Sequence, residues 1–131
     1  MKTRPRVIPT RVAQARAEHR SDVTQNVSNR SAKRSERLGN ISENLAARSE
    51  QAAANGHDQA AAHLSDKSEQ LAKRAEKWQQ FSDNTAKLSE GYDQLAEKLD
   101  QLGEDGVKAV PNKVPRPAFR AQLRAAWLRA Q

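Results

Sequence analysis

The 101 residues from Thr10 to Val110 contain no proline, and all five prolines of the chain lie outside this stretch. Because proline removes a backbone donor and clashes with the preceding helical turn, its absence permits very long helices. Ala, Glu, Lys, Leu and Arg make up about half of the 131 residues, a composition typical of long helices and coiled coils. Large aliphatic residues and phenylalanine are too scarce to predict a large core or a deep pocket.

The best interruption of this stretch is the segment Asn55-Gly56-His57-Asp58. Gly56 suits the left-handed residue that follows a helix, and Asp58 suits the N-cap of the next helix. We therefore expect one helix over residues 10–54 and a second over residues 59–102, with the chain folded back between them. The predicted fold is all-α: an elongated, coiled-coil-like antiparallel hairpin over residues 10–103, with its turn near residues 55–58.

A seven-residue repeat runs through both predicted helices. With Trp78 at position a and Phe81 at position d, large residues recur at a and d along the second helix. Small residues occupy position e and acidic residues position f, and in the first helix the e positions are Ser21, Ser28, Ser35, Ser42 and Ser49.

This labelling predicts which residues of the hairpin lie opposite one another. Position a of one antiparallel helix faces position d of the other when the two residue numbers sum to 112. Ile41 is then expected to contact Leu71. Two further pairs place an arginine on an aromatic ring, Arg34 on Trp78 and Arg20 on Tyr92, where cation–π contacts are expected.

The predicted apolar seam is thin, so a hairpin alone is expected to be marginal. The apolar burial that the hairpin lacks is expected to come from self-association, from the C-terminal helix or from a partner protein. A dimer is the favoured form of self-association. The strongest apolar stripe, and the predicted oligomer seam, consists of Leu88, Leu95, Leu99 and Leu102. The alternative is a chain that stays largely disordered when it is alone.

Residues 1–9 are expected to form a basic extended arm, since two prolines interrupt them. Basic residues in this arm and at the start of the first helix are candidates for binding nucleic acid or an acidic partner: Lys2, Arg4, Arg6, Arg11, Arg16 and Arg20. No aromatic residue precedes Trp78, so any nucleic acid is expected to be bound through phosphates rather than by base stacking.

The C-terminal part is predicted to be a linker, residues 104–117, followed by a short basic amphipathic helix over residues 118–131. A partner-helix surface is expected there, with an apolar stripe and an adjacent basic stripe: Phe119, Leu123, Trp127, Arg116, Arg120 and Arg124. This helix has three possible roles. It docks on the hairpin as a third helix, binds a groove on a partner or, least expected, touches an anionic membrane.

Catalysis has little support in the sequence. The chain has no cysteine, its three histidines are not spaced to share one helical face, and it has no glycine-rich phosphate loop. We expect no enzyme activity, metal, cofactor or small-molecule substrate. No apolar run reaches the length of a membrane span and no secretory signal is evident, so a cytoplasmic location is expected.

The function expected from the sequence is therefore that of a non-enzymatic scaffold, adaptor or assembly protein acting through helical protein–protein contacts. The alternative is a nucleic-acid accessory protein, of the plasmid or phage type, that binds phosphates with its basic arms.

Overall fold

A computed structural model describes residues 6–131 and confirms the all-α hairpin. Two long antiparallel helices, α1 (Thr10–Ala54) and α2 (Asp58–Glu104), pack along their length. A short helix, α3 (Arg116–Ala130), follows. Two three-residue strands, β1 (Val7–Pro9) and β2 (Ala109–Pro111), form an antiparallel ribbon at the open end of the hairpin.

The turn between α1 and α2 is built as the sequence indicates, with one difference. Gly56 has a φ of +79°, a left-handed conformation that glycine adopts without strain. The backbone N–H of His57 donates to the carbonyl of Ala52 at 2.9 Å, which closes the end of α1. His57, rather than Asp58, is the N-cap of α2. Asp58 lies in the first turn, where its carboxylate interacts favourably with the helix dipole.

The centre of the hairpin is a row of small residues at position e of both helices, which we call the serine seam. Ser42 and Ser68 face each other across it, with their hydroxyl oxygens 3.1 Å apart. Each also donates to the backbone carbonyl of the other, at 2.7 and 2.8 Å. The same contacts join Ser28 to Ser82. Ser35 donates to the carbonyl of Ala75, and Ser49 donates to that of Ala61, both at 2.7 Å.

Position a completes the buried face. Thr24 and Thr85 are 0% exposed, and each hydroxyl donates to a carbonyl one turn earlier in its own helix, so both polar groups are satisfied. The buried face therefore consists of positions e and a, and the prediction that a and d form its centre is wrong. Residues paired across the serine seam, e to e, have numbers that sum to 110. The a-to-d pairs Arg34–Trp78 and Arg20–Tyr92 keep the predicted sum of 112.

The residues at position d flank the buried face. Ile41 is 41% exposed, so it lies at the edge of the buried face, and its expected contact with Leu71 stays a prediction. The two predicted cation–π pairs are confirmed, because long arginine side chains reach rings beside the seam. The Arg34 guanidinium carbon is 4.8 Å from the Trp78 ring centroid. The corresponding distance from Arg20 to Tyr92 is 5.9 Å.

The ribbon ties the end of the predicted arm to the predicted linker. Ile8 pairs with Val110 at its centre. Thr10, the first residue of α1, donates from its backbone N–H to the carbonyl of Lys108 and from its hydroxyl to the carbonyl of Val107, at 3.0 and 2.7 Å. No local pattern in the sequence predicts this ribbon.

An apolar cluster lies beside the ribbon, at the open end of the hairpin. Ala17, Tyr92, Ala96 and Leu99 are buried there, and Phe119 of α3 packs against them. Within residues 6–131, none of the helices carries an apolar stretch long enough to cross a membrane.

Candidate functional site

Helix α3 docks on the hairpin through its aromatic side chains. The Trp127 ring centroid lies 4.8 Å from that of Trp78 and 5.1 Å from that of Phe81. Phe119 meets Tyr92 edge-on, with the two ring centroids 5.6 Å apart. Of the three roles considered for this helix, the structure shows docking as a third helix. Phe119 and Trp127 of the predicted partner-helix surface therefore pack on the hairpin of their own chain.

Arg20 joins α1 to both α3 and the segment before it. Its guanidinium carbon lies 4.9 Å from the centroid of Phe119, as well as beside Tyr92. One guanidinium nitrogen donates to the carbonyl of Val114 at 2.6 Å. Cation–π contacts of this kind stabilise by about 0.5–2 kcal/mol. These contacts hold the Arg20 side chain in one position. Arg20 also lies at the edge of the cleft described next.

An open cleft between α1 and α3 brings the two predicted basic clusters together, and we call it the arginine cleft. Its basic lining residues are Arg11, Arg16, Arg20, Arg116 and Arg120. Its apolar lining includes Val12, Val23, Phe119 and Leu123, and no acidic residue lines it. Three of these arginines were predicted with the N-terminal arm, and two were predicted with the C-terminal helix.

The remaining predicted residues lie elsewhere. Arg6 stands next to the ribbon, where its backbone carbonyl accepts a hydrogen bond from the backbone N–H of Asn112. Arg124 is exposed on α3 and does not line the arginine cleft. Lys2 and Arg4 lie outside the described residues.

The arginine cleft is suited to binding an anion rather than to catalysis. Guanidinium groups stay charged at any physiological pH and pair with carboxylates or phosphates through two parallel hydrogen bonds. Burial raises the pKa of the nearby Tyr92 hydroxyl, although the charge of Arg20 opposes the shift, so this hydroxyl stays protonated at neutral pH. Among residues 6–131 no cluster of metal-ligating side chains is present.

Charged residues of the hairpin are sorted onto two opposite sides. One side, which we call the basic side, carries positions d and g, and every charged residue there is basic: Arg16, Arg20, Arg30, Arg34, Arg37, Arg48, Lys67, Arg74, Lys77 and Lys98. The other, which we call the acidic side, carries positions b and f. All charged residues there except Arg11 are acidic: Glu18, Asp22, Glu36, Glu43, Glu50, Asp58, Glu69, Glu76, Asp83, Glu90, Asp93, Glu97, Asp100 and Glu104.

Contacts show that each side is shared by both helices. The Gln14 side-chain nitrogen lies 3.3 Å from a carboxylate oxygen of Glu18 on α1 and 3.3 Å from one of Asp100 on α2. On the opposite side, α3 contacts Arg20 of α1 and Phe81 of α2. The sequence itself contains this sorting, because in both helices d and g carry basic residues while b and f, apart from Arg11, carry acidic ones.

The leucines predicted as an oligomer seam lie in different environments. Leu99 is 6% exposed and belongs to the internal apolar cluster. Leu95 and Leu102 are 38% and 37% exposed, and they line a groove of about 340 Å³ beneath the ribbon and the segment that follows it. Leu88 is half-buried beside Val114. Association of two chains through these residues stays a prediction.

Comparison with protein-family models, with curated proteins and with solved structures finds no match for this chain. A helical hairpin alone assigns no function, because one fold serves many unrelated proteins.

Proposed function

We propose that this protein is a non-enzymatic scaffold or adaptor that holds a partner protein by an acidic amphipathic helix bound in the arginine cleft. The observation that carries the proposal is the convergence of five arginines from α1 and α3 on a cleft lined by no acidic residue. Because α3 is fixed on the hairpin by three aromatic contacts and by Arg20, these cations are positioned before a partner arrives.

The apolar part of the cleft favours a protein partner over nucleic acid. Val12 is 41% exposed, and Val23 and Leu123 are half-buried in the lining. Apolar side chains on one face of a helix would be buried by this surface, while flanking carboxylates meet the guanidinium groups at the rim. A phosphate backbone offers the same charge but little apolar surface.

Nucleic acid is the second candidate, and a separate observation favours it. The basic side continues past the cleft along both long helices, and its arginines and lysines other than Arg20 are exposed. At a rise of about 1.5 Å per residue the hairpin extends for roughly 65 Å, the length of about two turns of duplex DNA. Binding through such a side would use phosphates and show little sequence preference.

Two defined probes test the proposal: a fluorescent acidic amphipathic peptide with leucine on one face and glutamate on its flanks, and a 20-base-pair duplex. The cleft variant is Arg11→Gln/Arg120→Gln, which removes two exposed cleft arginines. The matched control, Lys33→Gln/Lys87→Gln, removes two exposed charges at position c. Because a charge-assisted hydrogen bond contributes about 1.5–3 kcal/mol, the Kd for the peptide should rise at least tenfold in the cleft variant and much less in the control.

The same titrations distinguish the two candidates. For duplex binding, log K should fall with log salt by about 0.9 for each phosphate neutralised. Tight duplex binding without peptide binding would replace the first candidate by the second. Equal loss in the cleft and control variants would show that net charge, not the cleft, governs binding. Absence of binding by both probes at about 50 mM salt would rule out both candidates.

A further inference from the structure

We infer that two copies of this chain dock side by side. The distal half of the acidic side of one copy contacts the distal half of the basic side of the other. The distal half is the part of the hairpin between the α1–α2 turn and the pair Arg34–Trp78. This interaction does not use the arginine cleft, which lies at the other end of the molecule.

The distal half of the basic side has no covering helix in the described residues. Helix α3 ends beside Trp78 and Phe81, where Trp127 packs. Beyond it, Ile41 is 41% exposed, and the leucines at position a are half-buried: Leu38, Leu45, Leu64 and Leu71. Exposed cations border this apolar strip: Arg34, Arg37, Arg48, Lys67 and Arg74.

The acidic side of the same chain matches this strip in charge and spacing. Its distal half carries exposed carboxylates at position f: Glu36, Glu43, Glu50, Glu69 and Glu76. Charges on both sides follow the same seven-residue repeat, which is about 10.5 Å along a helix. Several opposite charges can therefore meet at once when two hairpins lie alongside each other.

The acidic side also offers a flat place for the protruding apolar residue. Position b of distal α1 holds Gly39, Ala46 and Ala53. An added Cβ at Gly39 would meet nothing within 4 Å, so the surface above this glycine is open. The Ile41 side chain of one copy can pack against these small residues of the next copy, because no large side chain separates the two backbones.

Charge sorting also determines the form of the assembly. Two basic sides repel each other, and so do two acidic sides, so a symmetric dimer through either side is disfavoured. Basic-to-acidic docking joins two different surfaces. In a pair of chains, one copy keeps a free basic side and the other keeps a free acidic side. Such a contact does not close on itself, and it produces open rows of hairpins rather than dimers.

Light scattering on the full chain, at about 20 mM and 300 mM salt over a range of concentrations, provides the first part of the test. Exposed ion pairs are individually weak and screened by salt, so the mean mass should rise with concentration at low salt and return to the monomer at high salt. A monomer at both salt concentrations up to about 1 mM protein would overturn the inference.

Two variants provide the decisive part. The basic-side variant carries Arg37→Gln, Arg48→Gln, Lys67→Gln and Arg74→Gln, and the acidic-side variant carries Glu43→Gln, Glu50→Gln, Glu69→Gln and Glu76→Gln. All eight residues are exposed, so circular dichroism should show both variants folded. Each variant alone should stay monomeric, and an equimolar mixture should form a 1:1 heterodimer that does not grow further, because each chain keeps one functional side.

Three results would contradict this inference: assembly of either variant alone to the wild-type extent, a mixture that remains monomeric, or a mixture that grows beyond two chains. A control variant with Lys33→Gln, Lys73→Gln and Lys87→Gln, all at position c, should assemble as the wild type does. If this control also fails to assemble, net charge rather than the basic side controls association.

Discussion

Ser28 and Ser82 donate to each other's backbone carbonyl oxygens, at 2.8 Å in both directions, across the centre of the hairpin. The carbonyl oxygen of a helix keeps a second lone pair after accepting its own helical hydrogen bond, so both donations add to the helices rather than break them. The two long helices are therefore held by reciprocal polar contacts between small residues where an ordinary coiled coil has leucine.

Removal of a single seam hydroxyl should cost little, and two removals should nearly add. Ser82→Ala removes one donated hydrogen bond, so the free energy of unfolding should fall by about 1 kcal/mol. Each hydroxyl donates to a backbone carbonyl that alanine keeps, so the total loss in the double variant Ser28→Ala/Ser82→Ala should be close to the sum of the two single losses. Urea unfolding of the four proteins in this cycle measures these losses, and single variants as stable as the wild type would contradict the reciprocal contact.

An enlarged seam residue should destabilise the hairpin more than a lost hydroxyl. Ser82 is 4% exposed, and leucine at this position would force the two helices apart. Ser82→Leu is therefore expected to lower the free energy of unfolding by about 1–3 kcal/mol or more. The control Gln80→Leu places the same side chain at an exposed position, where a change within about 0.5 kcal/mol is expected. Equal effects in thermal unfolding would show that position e is not the buried face.

Tyr92, the only tyrosine in the chain, should titrate above its ordinary range. Burial raises its pKa above 10.0, against an opposing effect of the charge of Arg20. Folding therefore favours the protonated phenol: the stability that this group contributes is present below pH 10 and is lost as the pH rises through the folded pKa. Tyrosinate absorbance measured against pH should have a midpoint above 10, and a midpoint at or below 10 would contradict the burial of this group.

Docking of α3 should depend on Trp127. Its ring packs on those of Trp78 and Phe81, and aromatic pairs contribute about 0.5–1.5 kcal/mol each beyond their buried area. Trp127→Ala should therefore cost about 2 kcal/mol and increase amide hydrogen exchange throughout α3. The neighbouring Leu128 is 59% exposed, so Leu128→Ala should leave exchange nearly unchanged. Equal exchange in the two variants would mean that the aromatic contacts do not hold α3 in place.

The sequence predicts the hairpin well, because its main signals are local. The proline-free stretch forms the two long helices, and the chain turns at Gly56. Helix α1 has the expected bounds. The buried face differs from the predicted one because apolar content alone does not identify it. Leu95 and Ile41 are more apolar than serine, but serine hydroxyls that donate to carbonyls of the facing helix lose most of the usual penalty for burying a polar group.

The features of the open end depend on residues far apart in the chain. Strands β1 and β2 are three residues each and are separated by the whole hairpin, so no local pattern links Ile8 to Val110. The arginine cleft has the same origin, since its residues come from α1 and α3. Both basic clusters were recognised in the sequence, but their convergence depends on the position of α3, which the sequence left open among three possibilities.

The most direct test of the account is whether the two sides of the hairpin carry opposite charge in solution. Small soluble nitroxides of opposite charge, added separately at low salt, enhance the nuclear relaxation of the amides that they approach. The anionic probe should act most strongly near Arg48 and Arg74, and the cationic probe should act most strongly near Glu43 and Glu76. A buried face at positions a and d would instead enclose Arg48 and Arg74, both at position d, and shield them from the anionic probe. Equal effects of both probes on the two sides, or no effect of the anionic probe near Arg48 and Arg74, would contradict the seam, the charge sorting and the sideways docking that depends on it.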